Sequence, residues 1–363
     1  MLTWAEIDLA AIRNNVRQMQ ALAQTRVMAV VKANAYGHGA IRVARAAQEA
    51  GAEWLGVART EEGLALRAAG LQLPILVLGY TPPEAAPEAL AHALTLTVFD
   101  WESATAYASA ARALNQTANV HLKIDTGMGR LGVLPQDAPN FFQAVWALEG
   151  LNVEGAFTHF ASADAASPAS AQKQLTVFQE LIAALPTRPA LVHACNSAGA
   201  FALPAARLDV VRLGIALYGL NPSAEVPCPP EFRPALTWKA RVAQVKTLPP
   251  GHGVSYGHQY TTTETETLAV VTVGYADGFR RAPSAQAVLI GGQRAPIRGR
   301  VCMDQIIVSV SHIPNVRAGD EAVLIGQQGA EQITADELAR RWGTINYEVT
   351  SGLMARVARQ FFN

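Results

Sequence analysis

Cysteine is scarce: Cys195, Cys228 and Cys302 are the only three in 363 residues. An odd, widely spaced set provides neither a disulfide framework nor the paired spacing of a zinc site, so no metal is expected and a reducing compartment suits the chain. An excess of charge is missing as well. Lys and Arg total 29, Asp and Glu total 29, and the pI is about 7.1. With no basic field there is nothing to hold nucleic acid or an anionic membrane, and neither is expected as a partner. No apolar run is long enough to cross a bilayer. Glu6 and Asp8 stand where a secretory signal would carry basic residues, so a cytoplasmic protein is expected. Repeats and low-complexity tracts are lacking too, apart from a general alanine bias.

What is present is apolar bulk in a repeating order. Half of the residues are apolar, and 363 residues are long for one domain and natural for two. Residues 4–9 alternate and read as a strand. The run 27–31 is β-branched and uninterrupted, as in a strand buried on both faces. Short apolar runs return at 54–57, 74–78, 94–98, 120–124, 153–157, 191–194 and 210–213, mostly with helix-like stretches between them. About eight strands in a β-then-α rhythm predict a (β/α)8 barrel. A doubly wound open sheet is the runner-up, but nothing marks its nucleotide-binding first turn.

The pattern changes at Asn221-Pro222-Ser223 and Val226-Pro227-Cys228-Pro229-Pro230, where proline breaks helix and strand alike. Beyond it, strands are expected at 236–248, 267–273, 287–290, 301–310 and 321–325. Thr334 and Glu337 form a capping-box pattern for a helix. The expected division is a barrel over residues 1–229, whose first strand is free to join the second domain, and a β-rich domain over 230–363.

Lys32 follows the strand 27–31, ahead of a loop with Tyr36, Gly37 and Gly39. Strand ends of this kind carry chemistry in α/β proteins. Taken alone, however, such a lysine is more often a solvated charge. In the stretch from His121 to Gly132, period-two alternation puts His121, Lys123 and Asp125 on one face. In a barrel that face points inward, so Lys123 is expected to be buried, which costs several kcal/mol unless it is paired. On parity alone an ion pair with Asp125 or a neighbour is the preferred account. Further polar strand ends fall at Thr158-His159, His193 to Ser197, and Arg212-Leu213-Gly214-Ile215. The stretches 253–257, 274–278 and 301–304 read on pattern alone as ordinary strands and turns.

As a string, Val30 to Gly39 (VVKANAYGHG) resembles the cofactor-lysine motif of bacterial alanine racemases, enzymes of fold type III that depend on pyridoxal 5′-phosphate (PLP). The remaining stretches match that family's motifs in order, from Trp4 to Arg359. The resemblance implies PLP held by Lys32 as a Schiff base and racemisation of L- and D-alanine by two bases, Lys32 on the D-side and Tyr256 on the L-side. It implies a phosphate site of Ser197 and the backbone N–H groups of Gly214 and Ile215, with hydroxyls from Tyr36 and Tyr347. Arg212 would face the pyridine nitrogen, with His159 helping to position it. Arg130 and the backbone N–H of Met303 would bind the substrate carboxylate, and Tyr275 would gate the access channel. His193 would be the hydrogen-bond partner of Tyr256. Many members carry a carbamylated lysine at the position of Lys123, an anion that orients Arg130. The family supplies D-alanine for the cell wall and pairs head-to-tail as a homodimer, with active sites shared between chains.

Arginine does not readily give up its proton, so a pyridine facing Arg212 should stay neutral, a weaker electron sink than a pyridinium. Two departures from the family pattern are Phe279-Arg280-Arg281 and the closing stretch from Tyr347 to Arg356. Two rival functions are a PLP-carrier protein, which lacks a β domain, and a basic amino-acid decarboxylase, which sets a carboxylate where Arg212 stands.

Overall fold

In the computed structural model, which describes residues 1–282 and 286–363, strand β1 (Thr3–Asp8) belongs to a different sheet from the eight strands that follow it. Those eight are β2 (Arg26–Val30), β3 (Trp54–Val57), β4 (Ile75–Val77), β5 (Leu94–Val98), β6 (Ala118–Lys123), β7 (Leu151–Phe157), β8 (Leu191–His193) and β9 (Val210–Leu213). They pair in parallel in the order β8-β7-β6-β5-β4-β3-β2-β9. Between β8 and β9 the ring is joined through Asp209, whose N–H donates to Val192 O (3.0 Å) and whose Oδ2 accepts the Val192 N–H (2.8 Å). The fold is therefore a nearly closed barrel. β2, β3, β4 and β5 are buried almost throughout, as expected for strands with helices outside and side chains inside. Met28, Trp54, Leu76, Leu191 and Val210 form one core cluster. The helix Ala40–Glu49 turns Val43, Ala44, Ala46 and Ala47 inward, and small alanines suit close contact there.

One irregularity bears on the site. Between β6 and β7, Val120 pairs with Val153 but His121 pairs with Gly155, so Glu154 is the extra residue of a bulge. A Cβ at Gly155 would stand 2.6 Å from the His121 ring, so glycine is needed there for a close approach.

The barrel lies in the unit Ala10–Arg233; the second unit combines Met1–Leu9 with Pro234–Asn363. Its strands are β10 (Leu236–Leu248), β11 (Gly253–Val254), β12 (Tyr260–Thr261), β13 (Glu266–Val271), β14 (Ala287–Ile290), β15 (Gln293–Pro296), β16 (Ile306–Ser309), β17 (Glu321–Gln328), β18 (Glu331–Ile333) and β19 (Ala358–Phe362). The main sheet runs β15-β14-β17-β10-β1-β19, with β13 added beside β10, β16 beside β13 and β18 beside β17. The strand expected over 301–310 is shorter, because Cys302 N–H donates to Gln305 O and closes a turn before β16. In the helix Ala335–Trp342, Thr334 caps the Glu337 N–H as expected. The Glu337 carboxylate binds Arg294 and Arg341. Among the described residues no helix is long and apolar enough to cross a membrane.

Candidate active site

After β2 the chain does not enter an irregular loop. Residues 33–36 have φ of 51°, 52°, 54° and 50°, a left-handed turn of Ala33, Asn34, Ala35 and Tyr36 with no glycine in it. For L-residues this conformation costs about 1–2 kcal/mol each. Several contacts hold it. Glu62 Oε1 accepts the Ala33 N–H (2.6 Å) and its Oε2 accepts the Ala58 N–H (2.8 Å). Asn34 Oδ1 accepts the Ala40 N–H, and His38 Nδ1 lies 3.1 and 3.0 Å from the carbonyls of Ala35 and Tyr36, so that nitrogen carries the proton. The His38 ring packs on Tyr218, whose hydroxyl donates to Val30 O. Lys32 is thus fixed by a strained and well-supported backbone. Its amine is held below the ordinary lysine value by burial, then by Arg130 and Arg212, against an opposing pull from Glu62.

A cavity of about 220 Å³ opens beside it, lined by Lys32, Tyr36, Lys123, Arg130, His159 and Arg212 among others. At one side Ser197 Oγ accepts the N–H groups of Gly214 (3.0 Å) and Ala216 (3.3 Å). Ser197 opens the short helix Ser197–Ala202, and Ile215 opens a turn over Ile215–Tyr218. A Cβ at Gly214 would lie 3.2 Å from Tyr36 Oη and 3.7 Å from Ser197 Oγ. Hydroxyls and backbone N–H groups therefore converge on a cradle that a side chain at 214 would fill.

Lys123 is buried, 6% exposed, as the alternation expected. Its expected partner is otherwise engaged. Asp125 Oδ1 accepts the N–H groups of Gly127, Met128 and Gly129, and Oδ2 accepts that of Arg130. Burial pushes the Asp125 carboxyl up, but these backbone donors hold it below the usual carboxylate range. Among the described residues no carboxylate makes an ion pair with Lys123, which corrects the ion-pair account. Burial, then Arg130 and Arg212, push its amine down to about 8.

Arg212 is almost fully buried. It donates to the carbonyls of Thr158 and Ala194 (2.8 Å each), to His159 Nδ1 (3.1 Å) and to His193 Nδ1 (2.8 Å). Burial pushes its guanidinium down to about 10. His193 is fully buried; its other nitrogen, Nε2, meets His121 Nδ1 at 2.9 Å, and its ring stacks on Phe157. Both ring nitrogens being engaged inside the barrel, His193 has none to offer Tyr256, which corrects that expectation. His159 is the better candidate. Its Nδ1 accepts from Arg212, so a neutral ring carries its proton on Nε2, and the ring lines the cavity.

The other expected residues lie in the second unit. Tyr256 follows Ser255, a non-glycine residue at φ 63°, and is 66% exposed; it lines a pocket with Met303 and Asp304. Tyr275 opens the turn Tyr275–Asp277. The N–H groups of Tyr275 and Ala276 donate to the carbonyls of Cys302 and Met303. Gly274 allows that approach, since a Cβ there would stand 2.3 Å from Met303 O. Tyr347 sits in the helix Asn346–Ser351. Glu62 was not singled out from sequence. Arg356 clamps the buried carboxylate of Asp277 and that of Asp304 (2.6 and 2.7 Å), and Arg280 pairs with Glu348, so both unusual stretches make structural contacts.

Known proteins match this chain over nearly its whole length. The alanine racemase N-terminal domain family matches residues 7–222, and the C-terminal domain family matches residues 235–361. An alanine racemase of Desulfovibrio desulfuricans is 49% identical, covering 99% of this chain and 97% of its own. A solved alanine racemase of Clostridium difficile 630 is 40% identical with a TM-score of 0.96, covering 100% of this chain and 96% of its own. A histidine racemase of Leuconostoc mesenteroides is also similar, 32% identical with a TM-score of 0.92, over 99% of this chain and 98% of its own.

Proposed function

The chain belongs to the alanine racemase family, and from that premise we infer that it is an isomerase interconverting L- and D-alanine with PLP as cofactor. The observation that carries the reading is convergence on one cavity of an amine, a guanidinium and a cradle: Lys32, Arg212, and Ser197 with Gly214. These residues fit the cofactor. A phosphate dianion suits the space that a Cβ at Gly214 would fill, with donors from Tyr36, Ser197 and the backbone at Gly214 and Ile215, and Tyr347 as a further hydroxyl. Lys32 is the attachment point, its amine already biased toward the neutral form. Arg212 is a donor toward a ring nitrogen, and no carboxylate contacts it among the described residues, unlike the arrangement of the decarboxylases.

When bound, PLP supplies an electron sink for the negative charge left at Cα on loss of its proton. The protein moves that proton. Lys32 Nζ takes or returns it on one face and Tyr256 Oη on the other, since inversion requires removal and return on opposite sides. His159, whose ring lines the cavity, replaces His193 as the imidazole assigned to support Tyr256. Arg130 and the Met303 N–H hold the substrate carboxylate, and Tyr275 gates access. Lys123, as a carbamate, orients Arg130. The enzyme works in the cytoplasm as a homodimer, Tyr256 of one copy serving Lys32 of the other, and its product supplies the cell wall.

Borohydride treatment of the PLP-loaded protein followed by peptide mapping should place the pyridoxyl group on Lys32. The same preparation should form D-alanine from L-alanine faster than it racemises histidine or serine. A label on Lys123, or preference for another amino acid, overturns the corresponding part of the reading.

A further inference from the structure

A polar column runs through the barrel core where apolar layers are usual. It begins at Arg212, which only donates, so His193 Nδ1 must accept (2.8 Å). The proton of a neutral His193 is then on Nε2, which donates to His121 Nδ1 (2.9 Å). That puts the proton of His121 on its own Nε2, which faces Glu154 Oε2 at 3.7 Å. Both of these atoms are buried and neither has a hydrogen-bond partner, so they face each other as an electrostatic contact only. Burial, together with Arg212, keeps both imidazoles below the ordinary histidine value and hence neutral, although Glu154 pulls His121 the other way.

The backbone is built for this contact. Glu154 is the bulged residue of β7, and the bulge ends at Gly155, where any Cβ would strike the His121 ring. The rings are wedged in place, His121 against Trp54 (5.3 Å between centroids) and His193 against Phe157 (4.8 Å). Arg212 has only neutral acceptors around it, with Lys32, Lys123 and Arg130 as charged neighbours. Glu154 is the one carboxylate at the end of its relay.

We propose that Glu154 is a positioning residue for Arg212: through His121 and His193 its carboxylate holds both rings as Nε2–H tautomers and strengthens His193 Nδ1 as an acceptor for the guanidinium. This rests on the reading of Arg212 as the group facing the cofactor's ring nitrogen. A stronger acceptor behind Arg212 stabilises its positive charge and makes it a weaker proton donor in front. The ring nitrogen is kept unprotonated, and abortive transamination is suppressed relative to racemisation.

The test uses the full-length protein labelled with 15N-histidine, both PLP-loaded and PLP-stripped. In wild type, long-range 15N–1H spectra should show His193 and His121 with bare Nδ1 and protonated Nε2. Glu154→Gln is isosteric. It should shift the ring nitrogens of both histidines and raise the transamination events per racemisation about tenfold, a change of ~1.4 kcal/mol. Glu154→Asp keeps the charge and should retain the tautomers with a smaller rise. Glu180→Gln, on the exposed face of a helix, should alter neither readout. A protonated His193 Nδ1 in wild type, a shift confined to His121, or an unchanged partition ratio overturns the proposal. The PLP-stripped spectra report the relay without the cofactor, so failure of wild type to bind PLP or racemise alanine would count against the functional reading separately.

Discussion

Lys123 is the residue at which a change of solution conditions should switch chemistry. Its amine sits at about 8 rather than 10.5, which makes protonation less favourable by roughly 3 kcal/mol. At pH 8 about half of these amines are neutral, against less than about 1% for an exposed lysine. Carbon dioxide adds to the neutral amine, giving a carbamate and releasing a proton. The cations that disfavour an ammonium here, Arg130, Arg212 and Lys32, favour the anion that replaces it. With 13C-bicarbonate at pH 8, the protein should show a carbamate 13C signal that is missing from Lys123→Ala and fades as pH falls below about 8. The linkage gives a second readout. A bare Lys123 has a folded pKa below the unfolded one, so the unfolded chain binds more protons between about 8 and 10.5, and stability rises with pH across that window. Because carbamate formation removes the proton from folded Lys123, bicarbonate should make that rise begin at a lower pH in urea melts. A wild-type spectrum without the signal, or an equal signal from Lys123→Ala, refutes the argument.

Tyr256→Phe should cripple solvent-deuterium exchange at Cα of L-alanine far more than that of D-alanine; equal loss would make Tyr256 structural. Mixing inactive Lys32→Ala with inactive Tyr256→Phe should restore activity once subunits exchange, since about half of the dimers are mixed and about a quarter of all sites then carry both intact bases. Verified exchange without recovery would place both bases in one chain. Gly214→Ala should weaken PLP binding about tenfold or more, because its Cβ occupies the cradle beside Tyr36 Oη. Unchanged affinity would move the phosphate elsewhere.

The barrel was legible because its strands carry short runs rich in apolar and β-branched residues, and β3, β5 and β9 fall on the runs seen at 54–57, 94–98 and 210–213. Lys123 was legible by parity, since alternation along β6 gives the direction of a side chain. Its partner was not, because Gly127 and Gly129, at φ 137° and 70°, let the following loop fold its N–H groups back onto Asp125. Glu62 was invisible for a similar reason. It acts on backbone donors at Ala33 and Ala58, and no side-chain pattern records a hydrogen bond to the main chain. For His193 the strand-end position was readable, but which neighbour meets which ring nitrogen depends on packing across the barrel.

The handedness at residues 33–36 narrows what the chain can tolerate beside Lys32. Val, Ile or Thr at any of these positions would set a branched β-carbon against the preceding carbonyl, and proline cannot reach a positive φ at all. Mirror-image residues are at ease in this basin, so semisynthesis with D-alanine at 33 or 35 should relax the segment without moving Lys32. The absence of β-branched side chains from residues 33–36 is therefore a record of backbone geometry as much as of contacts.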